Sequence, residues 1–278
     1  MRGLTRLGAA ISNKIGKAIE DYGLIENKDR ILVAVSGGKD SLTLLNLLNE
    51  RRRWAPIDYE LVAMHVESDY RCKGCVHTEV LKKVFTGMRV AHHFEKIKIR
   101  DGKKDVSCFW CSWNRRKALF TAADKLGCNK VAFGHHKDDI VETLLLNIFY
   151  HGEFAAMNPR QDLFGGSLTI IRPLCYVEED TIRKFAAEEK FPSQLCRCPN
   201  SVVSKRRMMK EMISAIEKDC RYVKTNLLRS IARVNREYTK IKEESNAVCE
   251  PEAHREIDEE AEGGDSRPVL GDALQGGQ

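Results

Sequence analysis

A six-residue segment near the N-terminus, SGGKDS at positions 36–41, combines side chains that could bind phosphate. An apolar run, ILVAV (31–35), precedes it, and a helical pattern over about 40–52 follows it. A turn between a strand and a helix presents backbone N–H groups and the positive end of the helix dipole to an anion. Glycines let the backbone approach the anion closely, lysine adds charge and serines add donors. The residues predicted to bind phosphate in this way are Ser36, Gly37, Gly38, Lys39 and Ser41.

Asp40 is the acidic member of this segment, and its carboxylate would repel phosphate. An aspartate at this position is explained if its carboxylate binds Mg²⁺, because the metal ion can bridge a carboxylate and phosphate oxygens. The segment is not a Walker A loop, G-x₄-G-K-[ST], since that motif requires glycine at the position of Val33. An ordinary glycine turn is the remaining alternative.

Strand-like and helical segments alternate through most of the chain. Strands are predicted at 31–35, 59–68, 91–99, 129–136 and 167–177, and helices lie between and after them. This alternation is typical of an α/β fold with a parallel sheet flanked by helices. The predicted organisation is an N-terminal helix (1–27), an α/β domain (28–200), basic C-terminal helices (201–242) and an acidic tail (243–278), whose composition predicts disorder.

A second polar segment, GHHKDD at 134–139, follows the fourth predicted strand. Ligands of open α/β sheets bind at the carboxyl ends of the strands, so Gly134 and Asp139 should lie beside the SGGKDS turn. Asp138 is the predicted N-cap of the next helix. The two adjacent histidines could suggest zinc, but adjacent residues rarely bind one metal ion.

Charge is distributed unevenly along the chain. Residues 243–278 hold eleven acidic and two basic residues, which leaves a net charge of +15 on residues 1–242 of a chain whose total is +6. A strongly basic body favours a polyanionic partner such as nucleic acid, although solubility alone is an alternative. The predicted RNA contacts in the basic helices are Lys205, Arg206 and Arg207, and a solvated helix face is the alternative for them.

Six of the ten cysteines fall in three close pairs, RCKGCV, SCFWCS and LCRCPN. The N-terminus has no signal-peptide core, and no apolar run is long enough to span a membrane, so we expect a cytoplasmic protein. Its reducing environment argues against disulfides, and close pairing suggests metal, cluster or thiol chemistry. For Cys72 and Cys75 a catalytic thiol, a sulfur relay, part of a zinc site and chance all remain open. The other cysteines at 128, 175 and 220 are predicted to be buried core thiols.

The SGGKDS turn after an apolar strand resembles the PP-loop of the ATP pyrophosphatase superfamily, which has a matching G-H-x-x-D-D segment and an Arg-Pro-Leu turn like the one at 172–174. The resemblance implies a Rossmann-like sheet of the adenine nucleotide alpha hydrolase type. It implies enzymes that cleave ATP between the α and β phosphates and adenylylate a carbonyl oxygen. It also makes Asp40 and Asp139 catalytic or magnesium-linked, and it places adenine against backbone groups of Ala63 and His65.

The segment Cys108-Phe-Trp-Cys111, at the start of a basic helix, resembles the tRNA thiolation branch of that superfamily. Its nearest members are the tRNA 2-thiocytidine synthetases (the TtcA group), and the resemblance runs from about residue 10 to about residue 240. It implies that Cys108, Cys111 and Cys198 bind a [4Fe–4S] cluster, with Cys196 as the alternative third ligand. The C-x-C spacing of the last two departs from the usual C-x₂-C of the 2-thiocytidine group.

Two more features of this segment bear on the reaction. By the resemblance, Arg115 occupies the position of a basic catalytic residue, while Arg116 is a predicted tRNA contact. Trp110 and Trp113 could stack on an unpaired RNA base, although tryptophan packs more often in a core.

The resemblance thus implies ATP- and Mg²⁺-dependent conversion of a cytidine in the anticodon loop of tRNA to 2-thiocytidine. Sulfur would come from a cysteine desulfurase or from sulfide, and homodimers are usual in the family. The alternatives are 2-thiouridine synthesis, a lysidine-type ligase, sulfur transfer to a small molecule, and a non-enzymatic RNA-binding protein with structural zinc. A ligase would not need Cys108 and Cys111, and a binding protein would not need Asp40.

Overall fold

The computed structural model describes residues 4–69, 76–99, 107–192 and 205–235. The helices are α1 (Arg6–Tyr22), α2 (Lys39–Arg51), α3 (Val76–Gly87), α4 (Cys108–Lys125), α5 (Lys137–His151), α6 (Glu179–Glu188), α7 (Lys205–Glu217) and α8 (Val223–Ser230). The strands are β1 (Asp29–Ala34), β2 (Tyr59–Ser68), β3 (Ala91–Ile97), β4 (Lys130–Ala132), β5 (Arg160–Leu163) and β6 (Leu168–Ile171). Outside the described residues lie the acidic segment 243–278 and the cysteines Cys72, Cys75, Cys196 and Cys198.

Within the described ranges, the six strands form one sheet in the order β3-β2-β1-β4-β6-β5. All neighbouring pairs are parallel except β5 and β6, which pair antiparallel. The predicted α/β fold is therefore confirmed, with one antiparallel edge strand added to the expected parallel sheet.

The sequence prediction missed β5 and made the following strand too long. The residues of β5, Arg160-Gln-Asp-Leu163, are mostly polar, because an edge strand has a solvated side and needs no continuous apolar run. The predicted strand 167–177 ends at Ile171, and the chain then turns through the Arg-Pro-Leu segment. The predicted strand 129–136 likewise ends at Ala132, so that residues 133–136 form a loop beside the other turn.

Two hydrophobic clusters cover the two faces of the sheet, and successive strand residues alternate between them. On one face, Ile31 and Val33 of β1 pack in a cluster with side chains of α1, α2 and α6. On the other face, Leu32 of β1 and Met64 of β2 pack in a cluster with α4, which includes Leu119. The continuous apolar sequence of β1 is explained by burial on both sides.

The basic C-terminal helices pack on α5. Val141 and Leu145 of α5 form a third cluster with Met209 and Ile213 of α7 and Val223 of α8. The predicted pair of basic helices is thus observed, and its inner face is apolar. No helix in the described part of the chain combines the length and apolar character needed to cross a membrane.

The order of the strands brings the two polar turns together. From β1 the chain adds β2 and β3 on one side and then returns to add β4 on the other, so the direction reverses between β1 and β4. A crevice forms at the carboxyl ends of strands on either side of such a reversal. Val33 of β1 pairs with Ala132 of β4, so the turns that follow begin at the same level of the sheet.

Gly134 lies at the contact between these turns. A Cβ atom at this position would lie 2.9 Å from the backbone nitrogen of Ser41 and 3.0 Å from the carbonyl carbon of Asp40. These atoms belong to the first turn of α2 and cannot rotate away as a flexible side chain could. The site therefore depends on direct packing of one backbone against the other.

We expect Gly134→Ala to lower the free energy of unfolding by about 1–3 kcal/mol, because the added methyl group must displace the start of α2. Gly87→Ala is the matched control, since a Cβ there would meet no atom within 4 Å. Denaturant unfolding of both variants measures the difference. Equal stability of Gly134→Ala and the unmodified chain would contradict the tight backbone contact.

Candidate active site at the carboxyl ends of β1 and β4

A cavity of about 410 Å³ opens at the carboxyl ends of β1 and β4. Its wall combines residues from the two polar turns, from β2, from α4 and from α7. The predicted site residues in this wall are Ser36, Asp40, Ser41, Arg115, Arg116, Gly134, Asp139 and Arg206. Residues that sequence analysis did not select also line it, among them Met64, Val66, Ser112 and His135. Segments far apart in the sequence thus converge on one space.

The SGGKDS turn has the backbone geometry of an anion-binding turn. Gly37 has a φ of 89°, a value that favours glycine, and it lets the chain curl tightly between β1 and α2. The Ser36 hydroxyl accepts a hydrogen bond from the Gly38 N–H at 3.3 Å, and the Ser41 hydroxyl donates to the Gly38 carbonyl at 3.0 Å. No side chain caps the N-terminus of α2, so its first N–H groups are available to an oxyanion.

Lys39 contacts two carboxylates, one of which, Asp40, lines the cavity. Its ammonium group lies 3.2 Å from Asp40 Oδ2 and 3.0 Å from Glu179 Oε1. Burial alone would lower the pKa of Lys39, but Asp40 and Glu179 outweigh it and raise the pKa. Lys39 is therefore firmly cationic beside the turn.

Glu179, at the start of α6, was not predicted from the sequence. It contacts Lys39 with one oxygen and Lys210 of α7 with the other. Burial alone would raise the pKa of Glu179, but hydrogen bonds from Lys210 and Lys39 lower it to about 2. Since α2, α6 and α7 are distant in sequence, no local pattern could have indicated this link.

The Asp40 carboxylate is largely buried and only partly satisfied. Its Oδ1 atom has no hydrogen-bond partner, although Nε2 of His136 lies 3.7 Å away. Burial raises the pKa of Asp40, and the charge of Lys39 opposes this shift. A buried acceptor without a donor fits a cation better than it fits an anion. Because Mg²⁺ is usually held by one or two carboxylates together with phosphate oxygens, this oxygen fits the predicted role.

Asp139 and His136 cap the helix that follows the second turn. The His136 side chain accepts from the Asp139 N–H at 3.4 Å, and Asp139 Oδ2 accepts from the His136 N–H at 3.0 Å. This reciprocal pair is a capping box, so the prediction that Asp138 is the N-cap is wrong. Asp138 instead accepts from the Glu179 N–H and pairs with Lys224 of α8. The residue spacing of a capping box was present in the sequence, with histidine in the place of the usual serine or threonine.

The capping arrangement has a consequence for His136. Since Nδ1 accepts a hydrogen bond, the neutral ring carries its proton on Nε2. That nitrogen lies 3.7 Å from Asp40 Oδ1 and 3.4 Å from Asp139 Oδ2. His136 therefore lies between the two carboxylates of the site.

Arg206 of α7 contacts the second carboxylate. Its Nη1 atom lies 3.3 Å from Asp139 Oδ1, and its Nη2 atom donates to the Thr143 hydroxyl at 3.1 Å. Its Nε lies 3.9 Å from Glu142, whose pKa is raised by burial to about 7 despite this arginine. Arg206, predicted as an RNA contact, thus lines the cavity, while Arg207 pairs with Glu211 on the outside of α7.

His135 is neutral under ordinary conditions. Burial lowers its pKa to about 4, and Asp139 opposes this shift. The positive charges of three nearby arginines, Arg172, Arg116 and Arg206, lower the pKa of His135 further. Among the described residues, no group of three or more His, Cys, Asp or Glu side chains could hold a metal ion by themselves.

The predicted cysteine ligands begin the helix that supplies Arg115 to the cavity. α4 starts at Cys108, and Ser107 caps it by accepting from the Trp110 N–H at 3.1 Å. Cys111 is partly buried against Ile97 and Ile99. Positions 108, 111 and 115 share one side of the helix by their spacing, next to Ser112. The third predicted ligand lies outside the described residues, so the ligand roles of Cys108 and Cys111 stay a prediction.

The remaining predicted residues lie outside the cavity wall. Ala63 and His65 belong to the opposite face of β2 from Met64 and Val66, which line the cavity. The imidazole Nδ1 of His65 lies 2.7 Å from the Val35 carbonyl oxygen. Their predicted contact through backbone groups therefore stays a prediction.

Lys205 lies on α7 with its ammonium group 4.4 Å from the centre of the Tyr150 ring. Among the other cysteines, Cys128 and Cys175 are buried as predicted, but Cys220 is partly exposed, so the prediction was wrong for that residue.

Comparison with known proteins decides the family. A model of the PP-loop domain matches residues 7–192. The chain belongs to the PP-loop domain family. It is 45% identical over 236 residues to a tRNA-cytidine(32) 2-sulfurtransferase of Geobacter sulfurreducens, a match that covers 82% of this chain and 91% of the relative. It is 42% identical over 248 residues to the tRNA-cytidine(32) 2-sulfurtransferase of Geobacter metallireducens, covering 86% of this chain and 95% of that one.

A solved structure supports the fold. The U34-tRNA thiolase NcsA from Methanococcus maripaludis, determined with its [4Fe–4S] cluster, matches with a TM-score of 0.65 at 21% identity. The match covers 86% of this chain and 81% of NcsA. The Rossmann-like sheet of the adenine nucleotide alpha hydrolase type is thereby confirmed.

We expect Arg206→Ala to weaken ATP binding to this PP-loop site by roughly 10-fold, because a charged hydrogen bond in a partly buried site is lost and Asp139 is left without its cation. Arg207→Ala is the matched control, since Arg207 is the next residue of α7 but pairs with Glu211 and does not line the cavity. Isothermal titration with ATP and Mg²⁺ compares the two. If both variants bind ATP as the unmodified chain does, the guanidinium group of Arg206 has no part in the ATP site.

Proposed function

We propose that the protein is an ATP-dependent tRNA sulfurtransferase that converts a cytidine of the anticodon loop to 2-thiocytidine. The observation that carries this proposal is the convergence, in one cavity, of the PP-loop turn, the Asp139 turn and the face of α4 next to Cys111. The tRNA-cytidine(32) 2-sulfurtransferases cited above match nearly their whole length.

The PP-loop turn would hold the phosphates of ATP. Gly37 and Gly38 lack Cβ atoms, so the backbone can approach the phosphates closely. The uncapped N-terminus of α2 directs its N–H groups and the positive end of the helix dipole at the phosphate oxygens. The hydroxyl of Ser36 lies beside this turn and can donate to the same oxygens. Lys39 adds a cation whose position is fixed by Glu179.

The first half-reaction would be adenylylation of the base. The C2 carbonyl oxygen of cytidine attacks the α-phosphorus, the bond to the β-phosphate oxygen breaks, and pyrophosphate leaves. Arg115 and Arg206 lie in the cavity wall and can stabilise the negative charge that develops on the phosphates. Asp40 would hold Mg²⁺, which would supply positive charge against the negative charge of the phosphates. His136 holds Asp139 in place through the capping box.

The second half-reaction would replace the activated oxygen. Sulfur at the oxidation level of sulfide supplies both electrons of a new bond to C2, the C2–O bond breaks, and AMP leaves with the oxygen. A [4Fe–4S] cluster bound by cysteine thiolates would supply an iron position that can carry sulfide. Cys111 lies one helical turn from Arg115, which lines the ATP cavity. We propose Cys108 and Cys111 as two ligands and Cys198, or alternatively Cys196, as the third.

The outer face of the C-terminal helices would contact tRNA. Arg207 lies on the exposed side of α7, opposite its apolar contacts with α5. Lys205 is exposed at the start of α7, with its ammonium group over the Tyr150 ring. A basic surface attracts the phosphate backbone without regard to sequence. We further propose a cytoplasmic location, a sulfur donor that is a cysteine desulfurase or sulfide, and a homodimer.

Nucleoside mass spectrometry of bulk tRNA from a strain lacking the gene tests the proposal. We expect 2-thiocytidine to disappear and to return when the gene is restored. Loss of 2-thiouridine instead would keep the chemistry but change the base. Persistence of all thionucleosides in the deletion strain would overturn the tRNA assignment.

Two substitutions should separate the ATP site from the sulfur site. We expect Asp40→Asn to abolish AMP formation while iron content stays unchanged. We expect Cys111→Ala to abolish thiolation and lower iron content, while the affinity for ATP stays unchanged.

Asp124→Asn and Cys220→Ala serve as controls outside the cavity wall for these two substitutions. Measurements of iron, ATP affinity and 2-thiocytidine are needed for all four variants. Loss of ATP affinity in Cys111→Ala would contradict two separate sites.

A further inference from the structure

The first turns of α4 expose large aromatic side chains. The exposed fractions are 75% for Phe109, 44% for Trp110 and 40% for Trp113. Aromatic rings contribute most when they are buried, so a cluster of exposed rings indicates a binding surface. The alternative that these tryptophans pack in a core is therefore not observed.

The two indoles are arranged as a stack. Their ring centroids are 5.6 Å apart and their planes differ by 11°. The spacing of three residues along α4 places them one above the other. The ammonium group of Lys117 lies 5.3 Å from the centre of the Trp113 ring, one turn further along the helix. The result is a stack of two aromatic rings with a cation next to the Trp113 ring.

This surface lies next to the proposed active site. Ser112 and Arg116 line the cavity, and Trp113 lies between them in sequence. Because successive residues of a helix are rotated by about 100°, Trp113 lies on the side of α4 adjacent to the cavity. A single strand that places one nucleotide in the cavity can therefore place a neighbouring nucleotide on the stack.

We propose that Trp110 and Trp113 form a stacking platform for an unpaired tRNA base next to the modified cytidine, with Lys117 facing a phosphate of that nucleotide. The proposal rests on the proposed function, because it takes tRNA as the substrate. Single-stranded RNA is recognised by aromatic stacking, and every base presents a face that can stack. The +15 charge of residues 1–242 and the cations Arg116 and Lys117 favour RNA over an apolar protein segment.

Binding of an anticodon stem-loop oligonucleotide to the full chain tests the platform. We expect Trp113→Ala to raise the Kd by about 10-fold, as is usual for the loss of one aromatic–base stack, and Trp113→Phe to stay within about 3-fold. Trp54→Ala is the matched control, because Trp54 is 54% exposed but packs over Arg51 outside the cavity wall. Thermal unfolding shows whether the variants stay folded.

The RNA can be altered as well as the protein. An oligonucleotide with an abasic site beside the target cytidine should bind the unmodified chain and Trp113→Ala equally. Intrinsic fluorescence should be quenched by the intact loop in Trp54→Ala, which keeps only the two platform tryptophans of the three in the chain.

The platform is overturned if Trp113→Ala and Trp54→Ala bind the intact loop equally, or if a protein partner and not RNA quenches the fluorescence. These results are separable from failure of the proposed function. If the deletion strain keeps all thionucleosides while RNA binding still depends on Trp113, the function fails and the platform stands. If 2-thiocytidine is lost in the deletion strain but Trp113→Ala binds RNA normally, the function stands and the platform fails.

Discussion

The structure of the site depends on one backbone contact, in which Gly134 lies directly against the first turn of α2. A side chain at this position would meet the Ser41 nitrogen at 2.9 Å, so the two polar turns can approach only because this residue has no Cβ. The contact brings Asp40 and Asp139 to the same cavity. Parallel pairing of β1 with β4 places the two polar turns at the same level of the sheet. Because Gly134 has no Cβ, the backbones of the two turns can then come into contact.

Two carboxylates in a partly buried cavity repel each other, and the fold offsets this repulsion with cations from other elements. Lys39 contacts Asp40, and Arg206 contacts Asp139, at 3.2 and 3.3 Å. Glu179 holds Lys39 and also contacts Lys210, so α6 and α7 both support the PP-loop turn. The basic C-terminal helices therefore have two faces with different tasks. The inner face supplies Arg206 to the cavity, and we assign the outer face to tRNA.

α4 connects the two halves of the proposed reaction. Its first turn carries Cys108 and Cys111, and its second presents Arg115 and Arg116 to the ATP cavity. The activated base and the sulfur must meet within one catalytic cycle, and a single rigid helix fixes the distance between the groups that serve each step. The same helix also carries the exposed Trp110–Trp113 stack. We assign this stack to contact with the tRNA strand that enters the cavity.

Local patterns in the sequence were enough to predict the fold class and the PP-loop turn, because apolar periodicity and glycine-rich turns have direct conformational consequences. The sequence also predicted that the Asp139 turn lies beside the PP-loop, since strand ends meet at a topological reversal. It did not indicate β5, whose polar edge residues lack a hydrophobic pattern. It also did not indicate that Arg206 faces the cavity while Arg207 faces solvent, that Glu179 holds Lys39, or that the two tryptophans stack outside the core. Those features arise from contacts between elements far apart in the chain, and only the packing of helices on the sheet determines which side of each helix is buried.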